Sequence, residues 1–508
     1  MRTHEFSRSP SKTFSITQLL VGFLAVCPIL LSGCNQTHYA NVPELAASDQ
    51  PSLGPKDPTF QLREPEAPGE VEKPGEKGEA PEAKPETKPE RDPEPEPKLD
   101  PEPEPEVPKR EPEPEPQKDD PEAIQKLTEA GFALTKNDAG EVIGASVDRR
   151  EESGELVALL AKLPKISTLK LAGSGITDAG FQELESLQGI TRFDLEGSAI
   201  SDEALKSVGK LKNLGVISLR LTSVTDAGLS HLLGATKLRA LDLRNSNITD
   251  GGMEAIGKMT NLIDLQMERA KISTEGLKAI TGLQKLRSLN LNTIGITDEG
   301  LEVLGQLKAL EQIQLDNAYI SDEGMKYLGK LPKLKRLRIR YCDVTGVGMK
   351  EFAGSKTLSR LELRDTSIGD DAMEVIAGLE AVTYLELNEC RLISSEGFQK
   401  LKPLTKLKEL HLWETDFDDA AMQAISGMKE LTYINLEATK ISNESVDVLV
   451  GFKNLTKLNI AGTQLNDDVA EKLTTLPNLT WISVANSQMS YSGIDLLIES
   501  KETLEVVE

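Results

Sequence analysis

The chain has 508 residues, of which 38% are hydrophobic, 4% aromatic and 28% charged, and its formal net charge is −24. Such acidity argues against an electrostatic grip on nucleic acid or anionic lipid, because duplex binding draws most of its affinity from cations that neutralise phosphates. Four cysteines and four histidines spread over this length leave no ligand set at the short fixed spacings of a zinc or iron site, so neither a metal nor another cofactor is expected.

Residues 1–33 read as an address. Arg2, Arg8 and Lys12 precede an apolar run from Leu19 to Leu31. At about 13 residues, interrupted by Gly22 and Pro28, it is too short to span ~30 Å of hydrocarbon. It ends in Leu31-Ser32-Gly33-Cys34, which resembles the lipobox of bacterial lipoproteins. That resemblance implies cleavage before Cys34, acylation of that residue and membrane attachment through lipid alone. Asn35, where an aspartate would retain the protein at the inner membrane, implies the outer membrane of the cell envelope.

Residues 34–120 then change character. Proline recurs at every second to fourth position, as in Pro101-Glu102-Pro103-Glu104-Pro105-Glu106, separated mostly by Glu, Lys, Gly and Ala. Proline removes backbone donors, and the excess of acidic residues makes the segment repel itself, so the composition predicts a disordered spacer. At ~3.1 Å per residue it could reach at most roughly 270 Å, enough for a stalk between lipid and the rest of the chain.

The remainder is one repeated unit. An aliphatic residue followed by a polar turn stands at Ile176, Ile200, Val224, Ile248, Ile272, Ile296, Ile320, Val344 and Ile368, and after one extra residue resumes at Ile393, Phe417, Ile441, Leu465 and Met489. About seven residues before each lies an apolar-x-apolar triplet such as Leu169-Lys170-Leu171, which predicts a strand with one face buried. After most of them comes Thr or Ser, then commonly Asp, then apolar residues at helical spacing, which predicts an N-capped helix. Neither element buries its apolar face alone, so neighbours must stack. Ile166-Ser167-Thr168-Leu169-Lys170-Leu171-Ala172-Gly173-Ser174 carries the LxxLxLxx pattern and resembles the leucine-rich repeat superfamily, in its ribonuclease-inhibitor-like and F-box-associated varieties. The resemblance covers about 14 repeats over roughly residues 143–508. It implies an α/β right-handed solenoid, a horseshoe with a parallel concave sheet and a helical convex face. No F-box-like helix precedes the repeats, so ubiquitin-ligase function does not carry over.

Residues 121–144 are expected to cap the first repeat with a short amphipathic helix and a hairpin turning at Asn137-Asp138-Ala139-Gly140, residues 145–489 to form the repeats, and residues 490–508 to cap the last. Gly252–Lys258 imitates a phosphate loop, but Met259 stands where Ser or Thr would bind magnesium, and the segment lies on a repeat helix. Cys342 and Cys390 hold the same slot two repeats apart, ~10 Å, beyond bridging distance, so no disulfide is expected.

The residues before, between and after the paired leucines of each strand should face the concave side. In the middle repeats they read Arg336, Arg338 and Arg340, then Arg360, Glu362 and Arg364, then Tyr384, Glu386 and Asn388, followed by His411 and Trp413, Tyr433 and Trp481. Arg, Tyr and Trp dominate binding hot spots, because guanidinium forks and flat rings give large contact at low entropy cost. The expected ligand site is therefore Arg336, Arg338, Arg340, Arg360, Arg364, Tyr384, Glu386, His411, Trp413 and Tyr433, and the expected partner is an acidic protein or glycan bound by a monomer. The alternative for the same residues is a self-neutralising ladder on a structural envelope spacer. A remoter one is glycoside hydrolysis by Glu362 and Glu386 on adjacent strands, against which an open sheet offers no water-excluding pocket. The balance of these features predicts a binding protein, not an enzyme.

Overall fold

In the computed structural model, which describes residues 118–508, every repeat contributes a short strand followed by a short helix, which after Thr168–Ala172 is only the 3-10 helix Glu183–Ser186. The signal segment, Cys34 and nearly all of the proline-rich stretch lie outside the described residues. The first helix, α1 (Pro121–Glu129), starts at Asp120, whose side chain accepts from Glu122 N at 2.9 Å. Proline at its first position forfeits no hydrogen bond, since that N–H has no partner inside a helix. β1 (Ala133–Lys136) folds back antiparallel on β2 (Val142–Asp148), with Gly140 supplying the positive φ of the turn.

From β2 onwards each strand pairs in parallel with the next. These are β3 (Thr168–Ala172), β4 (Arg192–Asp194), β5 (Val216–Ser218), β6 (Ala240–Asp242), β7 (Asp264–Gln266), β8 (Ser288–Asn290), β9 (Gln312–Gln314) and β10 (Arg336–Arg338). β11 (Arg360–Glu362), β12 (Tyr384–Glu386), β13 (Glu409–His411), β14 (Tyr433–Asn435), β15 (Lys457–Asn459), β16 (Trp481–Ser483) and β17 (Glu505–Val507) complete an unclosed 17-stranded sheet. The register is position for position, so Leu337 faces Leu361, which faces Leu385 and then Leu410. The paired leucines and the aliphatic residue of each turn merge into one core running the length of the solenoid. Each inward position likewise becomes a column of side chains ~4.8 Å apart.

On the convex side the Ser/Thr-Asp pattern does more than cap its own helix. Ser273 caps the helix that follows it, and its N–H and hydroxyl both donate to Asp250 of the previous repeat, at 2.7 and 2.6 Å. Asp298 holds Ser321, Asp322 holds Thr345 and Asp370 holds Ser394 in the same way. The glycine three residues after many of these caps has the same cause, because a Cβ on Gly276 would stand 2.2 Å from Asp250 Oδ1.

After each strand the chain turns through a residue with positive φ, and from Leu221 (φ 55°) through Asn245, Arg269, Thr293 and Asn317 to Ala438 (φ 53°) that residue is not glycine. A side chain there costs about 1 kcal/mol. Stacking of the repeats over-determines the turn and holds it. The small slot beside it is buried: Thr366 donates to Leu363 O at 2.8 Å, and the free thiols of Cys342 and Cys390 lie against Leu315 O and Leu363 O. Burial pushes those thiols up, to about 12 and about 11.

Candidate functional site

The arginines and rings named from the sequence come together on β10–β14, but the arginines are not free. Arg336 Nε donates to Glu362 Oε1 at 2.9 Å, Arg360 donates to the same oxygen, and Arg338 Nε lies 3.7 Å from Glu362 Oε2. Arg338 and Arg340 converge on Asp316 Oδ2 at 2.6 and 2.8 Å, with Arg340 also 3.8 Å from Glu386. Arg364 Nε donates to Glu389 Oε1 at 2.8 Å. Five guanidiniums thus meet four carboxylates in one ladder, and the side chains of Arg336 and Arg338 are only 12% and 13% exposed. The cause is the rung spacing, which brings a carboxylate on one strand within reach of a guanidinium on the next.

This changes the roles of several residues. Glu386 and Glu362 sit side by side in register but are 5% and 2% exposed, and burial raises the Glu386 carboxyl above its ordinary range. Glu386 lies 3.8 Å from Arg340 and accepts from Asn388 at 3.1 Å. Asp316, absent from the sequence-derived site, is the centre of the ladder, and burial raises it to about 6. Its signal was its column position, one rung before Arg340.

The rings form the more open part. Arg360 lies 3.6 Å over the Tyr384 ring, Tyr384 packs 4.8 Å from His411, and His411 meets Tyr433 edge-on at 4.9 Å. A second short stack has Arg364 between Tyr341 at 5.3 Å and Trp413 at 4.7 Å. His411 Nε2 is 3.6 Å from Glu409 and has no hydrogen-bond partner among the described residues; the imidazole holds the Glu409 carboxyl below its ordinary range. Burial raises the Tyr433 hydroxyl to about 12, so it is a neutral donor at physiological pH. Tyr341 was not singled out from the sequence because it stands at the positive-φ turn, one position beyond the inward columns. Arg391, the extra residue of the longer repeat, and Leu392 stand exposed at the edge nearby, with Arg391 donating to Glu414 at 2.7 Å.

An unclosed parallel sheet with one helical or turn segment returning after each strand defines a repeat solenoid. Family models described as leucine-rich repeat match residues 405–465 and, separately, residues 234–257, 282–305 and 330–353. These matches place leucine-rich repeats in the chain, which contains a leucine-rich repeat domain. No curated protein matches it. Among solved structures, an internalin (inlF) of Listeria monocytogenes is 21% identical over 71% of this chain and 93% of its own, with a TM-score of 0.45. A leucine-rich repeat protein of Leptospira interrogans is 19% identical over 69% of this chain and 92% of its own, with a TM-score of 0.49. The ectodomain of the Arabidopsis receptor kinase HAESA is 13% identical over 72% of this chain and 81% of its own, with a TM-score of 0.41. Likeness at this level says nothing about what this chain binds.

Proposed function

We propose that this chain is a lipid-anchored, extracytoplasmic scaffold that binds a protein partner through the concave face over β11–β14. The observation that carries this reading is the pair of cation–ring stacks, Arg360–Tyr384–His411–Tyr433 and Tyr341–Arg364–Trp413. Rings held in place by neighbours lose little entropy on binding, which is what hot spots require. Because the arginines are already matched by carboxylates, the partner is selected by flat apolar contact and hydrogen bonding more than by net acidity. In this reading Cys34 carries the anchor and the proline-rich stretch sets the distance from the membrane.

The test is crosslinking of the purified chain to envelope extracts, comparing wild type with Trp413→Ala/Tyr433→Ala. Loss of one defined protein adduct in the variant, with an unchanged unfolding midpoint, supports the assignment. Adducts that survive in full favour a spacer whose sheet face is only a self-neutralised ladder, the reading for which the closed ion pairs of Arg336 and Arg338 speak. A glycan adduct lost in the same variant would keep the face and change the partner.

A further inference from the structure

At the edge of the sheet where helices hand over to strands, the repeats of the first half leave an open groove of about 560 Å³. Lys237, Arg239 and Lys285 line it, together with Asn213, Gly215 and Thr236, and no carboxylate and no aromatic ring does. In a chain of net charge −24 that is a local reversal of sign.

The three cations lack anionic partners. Lys237 Nζ donates to Asn213 Oδ1 at 2.6 Å and Lys285 Nζ to Asn261 Oδ1 at 2.7 Å, so neutral amides aim both ammonium groups and leave their charge uncompensated. The Arg239 side chain enters no hydrogen bond, ion pair or ring contact among the described residues. Its guanidinium lies over Gly215, where an added Cβ would stand 3.6 Å away. Further along the same edge the pattern changes, because Arg287 and Lys335 both pair with Glu311, at 2.7 and 2.9 Å. The backbone offers nothing to a peptide strand, since Arg239 N is spent on Gly215 O and Ile263 N on Arg239 O. What remains is a surplus of side-chain donors with almost no acceptors, over a span of two rungs, ~10 Å.

We propose that this groove binds a small polyanion bearing phosphate groups, such as an oligophosphate or a sugar phosphate. The site is separate from the ring stacks and independent of the function proposed above. Two ammonium point charges and one guanidinium fork pointing into one space suit tetrahedral, multiply charged oxygens better than a single planar carboxylate. The volume fits a ligand of that size. With no ring in the wall there is no platform for a base, which sets aside a nucleotide.

The experiment is calorimetric titration of the full purified chain with tripolyphosphate, and with citrate, at low salt and at about 0.15 M. Expected are one saturable tripolyphosphate site, weakening with salt, weaker binding of citrate, and at least about a tenfold loss of affinity in Arg239→Ala and in Lys237→Ala/Lys285→Ala. Arg239→Lys should retain part of it. These side chains are exposed, so unfolding midpoints should not move. Lys406→Ala/Lys453→Ala, removing exposed lysines of the second half, should bind as wild type does. An equal loss in that control would reduce the effect to diffuse attraction and overturn the site, as would unchanged affinity in both groove variants or no saturable binding. Equal affinity for citrate would overturn the phosphate assignment.

Discussion

The repeats on β3–β9 and those on β10–β16 share one backbone, and their inward faces differ completely. In the first region the inward residues are mostly short and polar, as in Ser218, Gln266 and Asn290, all buried, and none is aromatic. Its inward ion pairs are fewer, as in Arg244 with Asp242 at 2.7 Å and Lys170 with Asp194 at 3.7 Å, until Asp316 after β9 opens the ladder. In the second, guanidiniums and carboxylates run on from strand to strand and the rings stack beyond them. The leucine columns and the convex aspartates carry the stacking in both, so the inward columns are released from holding the fold and can carry recognition.

The sharpest way to break this comparison is to remove the shared partner of three arginines. Glu362→Ala should cost about 3–5 kcal/mol, because it leaves buried guanidiniums uncompensated, whereas Asn290→Ala at the equivalent place in the first region should cost about 1–3 kcal/mol. Urea unfolding of both variants measures the difference, and equal costs would mean the ladder adds no stability of its own.

Next comes acidity. Burial raises Asp316 to about 6 from 3.8, so the folded chain takes up that proton more readily than the unfolded one. This group's contribution to stability therefore grows as pH falls through 6 towards 3.8, by up to about 3 kcal/mol. Between pH 7 and 5, wild type should gain on Asp316→Asn, and parallel stability curves would contradict the assignment. The convex staple is the control common to both regions. Asp250→Ala and Asp370→Ala should each cost about 1–2 kcal/mol, and a much larger cost at Asp370 would show that the ladder couples through the core.

The smallest effect separates strain from function at the positive-φ turn. Leu221, exposed by 51%, has no charged role, so Leu221→Gly should raise stability by about 1 kcal/mol. Glu389 has the same backbone (φ 59°) but holds Arg364. Glu389→Gly should therefore show no gain in thermal unfolding.

The repeat period, the order of strand and helix, the buried leucines and the helix caps were legible in the sequence, because each depends on residues within one turn of chain. The columns of Arg336, Arg360, Tyr384 and Tyr433 were legible too, since a fixed register follows from a fixed period. Which charges cancel was not. Asp316 reaches Arg338 and Arg340, and Glu362 reaches Arg336, across 22 to 26 residues, and the choice among neighbouring arginines depends on side-chain reach between strands. Nor did the sequence announce that Asp250 would cap the next repeat, or that Leu221 and Tyr341 would adopt a glycine-like backbone. Stacking decided these: it sets residues about 24 apart against each other and imposes a turn that none of them would adopt alone.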